Sequence, residues 1–149
     1  MASRILLING PNLNMLGIRE PSTYGYSSIE DINLELGQIA KEKGVLLEFF
    51  QSNHEGAIVD RIHEAYNQTD LIIINAGALS HYSIAVYDAL KAVNIPLIEV
   101  HLTNIYARED FRQHSLISPI AAGGIFGLGA LSYKMAFLAA CELLERGEN

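Results

Sequence analysis

A glutamate and a histidine two positions apart, Glu99 and His101, sit inside the apolar run PLIEVHL. If that run is a β-strand, its two-residue period turns both side chains to one face, where a covered sheet carries aliphatics. A carboxylate beside an imidazole in such a place is either a satisfied structural pair or an acid–base pair tuned for proton transfer. Polar side chains also follow the other apolar runs: Asn9 and Asn12 after RILLI, Asn53 and His54 after VLLEFF, and Asn75, Ser80 and His81 after LIIIN. Thr103 follows PLIEVHL in the same way. The stretch NGPNLNMLGIREPSTYG, beginning at Asn9, adds Arg19 and Tyr24. Its asparagines, glycines and prolines account for a loop, but not for an arginine and a tyrosine close together in it.

Other chemistries fit the residues less well. The histidines His54, His63, His81, His101 and His114 form no HExxH motif and no i,i+4 pair on a helix, so no metal centre is expected. GGIFGLGALSYK lacks the Gly-Lys-Ser/Thr of a phosphate loop, and as a dinucleotide fingerprint it is broken at Ser132 and follows the last strand instead of the first. Its glycines are read as allowing a helix to pack closely on a strand. There is no GxSxG elbow, and Cys141, the single cysteine, lies in MAFLAACELL as a small hydrophobe with no intrachain disulfide partner. Proton transfer remains.

The elements that must position these residues alternate. RILLI, VLLEFF, LIIIN, PLIEVHL and AAGGIFG are too continuously apolar for half-solvated strands and read as buried parallel ones. Between them, Ile29, Ile32, Leu36 and Ile39 make a helical stripe, with Ser27 and Glu30 at capping-box spacing and Gly44 as the stop. Further helices are predicted to start near Gly56, Ser83 and Ala130. This pattern predicts a flavodoxin-like three-layer α/β sandwich with a five-stranded parallel sheet of order 2-1-3-4-5 and helices on both faces. In such sheets ligands bind beyond the carboxyl ends of the strands, where the polar residues collect.

Composition sets the outer limits. The 149 residues, 50% hydrophobic, suit a single domain over 1–149, without internal repeat, low-complexity segment or linker. A formal net charge of -7 argues against a nucleic-acid partner. No apolar run is long enough for a membrane span, no signal peptide is evident, and cysteine usage suits a reducing compartment, so a cytoplasmic location is expected. Two rival classes share the fold. A receiver or flavin-binding module is one, although a receiver needs acidic residues after the first strand, where this chain has asparagines. An interaction protein that has lost catalysis is the other.

NGPNLNMLGIREPSTYG, QSNHEG, NAGALSHYS, EVHLTN, AREDFRQHS and GIFGLG occur in order along nearly the whole chain, which in these motifs resembles the type II 3-dehydroquinate dehydratases. The resemblance implies a flavodoxin-like enzyme without metal or organic cofactor. It implies anti elimination of water from 3-dehydroquinate through an enolate, giving 3-dehydroshikimate, in aromatic biosynthesis by the shikimate pathway or in quinate breakdown. By the same resemblance Tyr24 is the base, Arg19 favours its phenolate, Asn12 holds a water against the enolate, and His101 is the general acid oriented by Glu99. Asn75, His81 and Arg112, with the backbone amides of Leu102 and Thr103, match groups that grip the substrate. Asp88 matches a residue that reaches a neighbouring subunit's site in a homo-dodecamer of four trimers. Residues about 11–26 become a lid.

The physics of a phenolic base fits such a lid. A phenol has an ordinary pKa near 10 and must lose about 3 units to act near neutrality, about 4 kcal/mol. A guanidinium about 4 Å away at an effective dielectric of about 20 supplies roughly that. Closing the loop strengthens the pairing by excluding water. The sequence departs from the family's habit at Thr103, where serine is common, and at Leu79, Tyr82, Tyr87 and Ser132. The threonine keeps a hydroxyl, and the other four positions bear on subunit contacts and inhibitor fit.

Overall fold

The computed structural model describes residues 1–25 and 27–147; the last residue of the predicted lid, Tyr26, lies outside them. Five strands, β1 (Arg4–Asn9), β2 (Leu46–Gln51), β3 (Leu71–Asn75), β4 (Leu97–His101) and β5 (Gly123–Phe126), form one parallel sheet in the order β2-β1-β3-β4-β5. This is the predicted order. The helices between them are the short α1 (Pro21–Tyr24), then α2 (Ile29–Lys43), α3 (Glu55–Glu64), α4 (Ile84–Val93) and α5 (Leu131–Glu145).

The strand period divides the aliphatics between two cores. Ile5 and Leu7 of β1, Leu71 and Ile73 of β3, and Ile98 and Val100 of β4 pack with α2 and α5, while Leu6, Ile8, Ile72, Ile74 and Leu97 pack with α3 and α4. Each fully buried side chain of this size contributes about 1.5–3 kcal/mol, so a register slip of one residue would forfeit a whole row. Register also levels the strand ends. Asn9 lies opposite Asn75, and on the other side of β3 the β4–β5 pairing sets Glu99 opposite Gly124 and His101 opposite Phe126.

Two local expectations shift. The capping box of α2 is Ser28 with Asp31, one residue beyond the predicted Ser27 and Glu30: Ser28 is extended, its Oγ accepts from the Asp31 N–H, and the Asp31 carboxylate accepts from the Ser28 N–H. Here aspartate takes the place that glutamate usually has in such a box. Gly44 ends the helix at φ 68° as expected. The glycine-rich run does not serve helix packing. A Cβ on Gly124 would lie 3.5 Å from the Glu99 carbonyl oxygen across the sheet, and Gly127, at φ +87°, would bring one to 3.3 Å from Asn104 Cβ. Of the two, only Gly127 is required to be small, and it accommodates the turn after β4. Cys141 is buried, and burial pushes its thiol up, in keeping with a packing role. Among the described residues no helix is long and apolar enough to cross a membrane.

Candidate active site

The chain leaves β1 through Gly10, whose N–H donates to the Asn75 carbonyl at 2.8 Å. Only glycine fits here, because a Cβ would stand 2.4 Å from the Ala76 carbonyl oxygen. This close approach ties the loop after β1 to the turn after β3. Asn12 follows in a left-handed conformation (φ 70°) and donates its backbone N–H to Asn53 Oδ1 at 2.9 Å. Gln51 donates to the same oxygen at 3.2 Å and to the Gly10 carbonyl at 3.1 Å. Asn53 therefore shapes the loop from behind.

Leu13 and Leu16, both buried, pin the next stretch to the α2/α5 core. Glu20 at φ 39° and Pro21 at the first helical position then start α1, which ends in Tyr24. The half-buried Tyr24 ring packs on the same core. Two cations flank it: the guanidinium carbon of Arg19 stands 4.6 Å from the ring centroid and that of Arg108 5.1 Å. Arg19 Nε also pairs with Glu20 Oε2 at 3.6 Å. Among the described residues no hydrogen bond joins either arginine to the Tyr24 hydroxyl.

On β4 the expected pair shares a face. Glu99 and His101 are 4% and 7% exposed, and His101 Nε2 lies 2.9 Å from Glu99 Oε2. Ser115 Oγ donates to Glu99 Oε2 at 2.5 Å, and Ser118 Oγ donates to Oε1. Burial works to raise the Glu99 carboxyl, but the hydrogen bonds from His101, Ser115 and Ser118 outweigh it and hold the group below the ordinary carboxylate value. The carboxylate is thus an acceptor, so His101 Nε2 is the donor of that bond and Nδ1 is left for chemistry. A glutamate survives here because no aliphatic helix covers this corner; the chain between β4 and β5 supplies hydroxyls instead, with Ser118 opening a 3-10 turn over Ser118–Ile120.

His81 closes the turn after β3. Its ring stacks on that of His101 with centroids 6.2 Å apart, and its Nδ1 donates to the His114 carbonyl at 2.9 Å. Burial first, and the charges of His101 and Arg112 next, hold its pKa below the ordinary imidazole value, against an upward pull from the His114 bond. Near neutrality the ring is uncharged, with Nε2 as an acceptor.

A cavity of about 150 Å³ lies between these parts. Tyr24, Arg19 and Asn12 line it from the loop after β1, and Asn75 and His81 from the end of β3. His101, Leu102, Thr103 and Arg112 line it from β4 and beyond. Glu99 acts from behind His101 and does not line it, and neither do Asn9, Asn53, His54 and Ser80. Asp88 is exposed on α4, away from this cavity. Among the described residues three arginines face the cavity and no carboxylate does, in a chain of formal charge -7. That field favours an anionic ligand.

Arg108 is a lining residue that the sequence reading missed; in AREDFRQHS it is indistinguishable from a solvated surface charge. It also donates from Nη1 to Thr103 Oγ1 at 3.3 Å, so the threonine hydroxyl is engaged within the protein. Ser115 and Ser118 were missed for a different reason: only the fold brings them to Glu99. Among the atypical positions, Ser132 is buried and its Oγ accepts from the Leu128 N–H at 3.1 Å, while Leu79 is buried and Tyr82 is exposed.

The model of the family described as Dehydroquinase class II matches residues 3–141. The chain belongs to this family. It is 55% identical over 143 residues to the 3-dehydroquinate dehydratase of Caldicellulosiruptor bescii, covering 95% of this chain and 99% of that one. It is 58% identical over 132 residues to Catabolic 3-dehydroquinase 2 of Neosartorya fischeri, covering 89% and 88%. Among solved structures, the type II dehydroquinase of Butyrivibrio crossotus superposes with a TM-score of 0.90 at 46% identity, over 97% of this chain and 98% of that one.

Proposed function

We propose that this class II dehydroquinase, a 3-dehydroquinate dehydratase and so a hydro-lyase by its family, uses Tyr24 as base and His101 as general acid in an anti elimination of water from 3-dehydroquinate. The Tyr24 phenolate takes the proton beside the ring ketone, and the C–H electron pair moves into an enolate. The enolate collapses to a conjugated enone and expels the ring hydroxyl, which leaves as water with the proton given by His101 Nδ1. Arg19 and Arg108 favour the phenolate, and Asn12 holds a water against the enolate oxygen. Glu99 orients His101. Asn75, His81, Arg112 and the amides of Leu102 and Thr103 bind the substrate's carboxylate and hydroxyls.

The observation that carries this reading is one cationic cavity lined at once by Tyr24, with two guanidiniums against its ring, and by His101, backed by a buried carboxylate. Residues 1–149 act as one catalytic domain in which 11–26 is a lid over the cavity. The enzyme works as a dodecamer of four trimers in which Asp88 reaches a neighbouring site. Its relatives include a catabolic enzyme, and the same chemistry serves shikimate biosynthesis or quinate breakdown.

The test is a size-resolved assay: fractions separated by gel filtration are mixed with 3-dehydroquinate and followed at the ultraviolet absorbance of the enone. Activity is expected in the largest assembly and lost on dissociation. No enone from any fraction would sink the catalytic reading, and a fully active monomer would sink the assembly.

A further inference from the structure

At the cavity wall, three polar side chains form a hydrogen-bond chain, of which the mechanism above uses only Asn75. Asn9 at the end of β1, Asn75 at the end of β3 and Tyr133 in the first turn of α5 are 1%, 3% and 1% exposed. The Gly77 N–H donates to Asn75 Oδ1 at 3.2 Å, Asn75 Nδ2 donates to the Tyr133 hydroxyl at 2.8 Å, and that hydroxyl donates to Asn9 Oδ1 at 2.6 Å. All three donors run in one direction, an arrangement in which each bond strengthens the next.

The direction is set at the backbone end. An amide N–H cannot accept, so Gly77 draws the Asn75 carbonyl oxygen to itself and turns the NH2 group toward Tyr133. The hydroxyl then accepts from Asn75, and its own proton goes to Asn9. Burial holds the Tyr133 phenol far above its ordinary range, so it stays neutral and keeps both roles. Asn75 also lines the cavity. With its carbonyl oxygen and one N–H already engaged, the N–H that remains can only donate, whereas an unrestrained amide could turn either end to a ligand.

We propose that Tyr133 is a positioning residue for substrate binding: it holds the Asn75 amide so that an N–H, and never a carbonyl, meets an acceptor oxygen of the substrate. This rests on the reading of Asn75 as a substrate contact. The alternative is a purely structural role, three buried hydrogen bonds tying β1, β3 and α5 together. Stability would then register the loss of the hydroxyl, but substrate affinity would not.

Enone formation is measured against substrate concentration for wild type, Tyr133→Phe, Asn75→Ala and the double variant, with thermal unfolding alongside. Tyr133→Phe is expected to raise KM about 5- to 10-fold, the scale of one neutral hydrogen bond, and to raise it by more than it lowers kcat. On the Asn75→Ala background the same change should alter KM by less than about twofold, because the two side chains act as a unit. A lower unfolding temperature with unchanged KM in Tyr133→Phe would leave only the structural role and overturn the proposal. An equal rise on both backgrounds would also overturn it, since Tyr133 would not be acting through Asn75. If Asn75→Ala itself leaves KM unchanged, the substrate-contact reading fails and the positioning role falls with it. If Asn75→Ala raises KM and Tyr133→Phe does not, the contact stands and the positioning role alone is lost. Should Tyr133→Phe not fold, Asn9→Ala, which removes the acceptor of the hydroxyl proton, should raise KM by a smaller factor that vanishes on the Asn75→Ala background. An unchanged KM in Asn9→Ala would then count against the proposal.

Discussion

His101 and Tyr24 line one cavity but rest on different kinds of structure. His101 ends a strand with neighbours on both sides, 7% exposed, its carboxylate partner held by two serine hydroxyls. Tyr24 ends a four-residue helix between Glu20 at φ 39° and Gly25 at φ 86°, and the Arg19 beside it keeps 34% of its side chain exposed. The proposed acid is preorganised by the sheet, whose burial and hydrogen bonds are complete before any ligand arrives. The proposed base depends on a segment pinned by two leucines and on guanidiniums that solvent partly screens. One half of the site is built into the core, and the other is laid over it.

The hardest blow to this comparison comes from removing each reacting group. Tyr24→Phe and His101→Ala should each lower turnover by about 10²- to 10⁴-fold, the usual worth of a positioned acid or base. Their stabilities should diverge. His101→Ala leaves Glu99 buried without its ring partner and should lose about 1–3 kcal/mol in chemical denaturation, whereas Tyr24→Phe should stay within about 0.5 kcal/mol of wild type. Equal destabilisation would erase the distinction between core and overlay. Substantial turnover in folded Tyr24→Phe would move the base elsewhere.

A smaller effect sharpens the overlay half. Arg19→Ala should cost about 10- to 10²-fold in turnover with the fold intact, since one of the two cations on the Tyr24 ring is lost. Arg19→Lys should recover little, because a flexible ammonium does not reproduce a planar guanidinium stacked on a ring. Full recovery by lysine, measured as kcat at saturating substrate, would show that charge alone matters there.

The smallest effect concerns the buried half and acid. Glu99 has a folded pKa below its ordinary value of 4.5, so it binds protons less readily when folded than when unfolded. Its contribution to stability is complete above that ordinary value and is lost as pH falls through the lower folded one. Urea midpoints recorded from neutral pH downward should therefore decline more steeply for wild type than for Glu99→Gln, which has no carboxyl to titrate. Parallel curves would mean that the hydrogen bonds from His101, Ser115 and Ser118 do not favour the charged form.

By itself the sequence determined the sheet and half of the site. Continuous aliphatic runs separated by helical stripes admit few arrangements besides a parallel sheet covered on both faces, and a two-residue period is enough to put Glu99 and His101 together. The family motifs added Tyr24 and Arg19, which no local pattern distinguishes from loop residues. Tertiary structure decided the rest. Ser115 and Ser118 meet Glu99 only because the chain between β4 and β5 folds back over the end of β4, and a serine carries no sign of its partner. Arg108 joins the cavity only because its turn points inward. Asn9, Asn75 and Tyr133 become one hydrogen-bond chain across 124 residues of sequence, a separation at which spacing carries no information and only packing brings donor to acceptor.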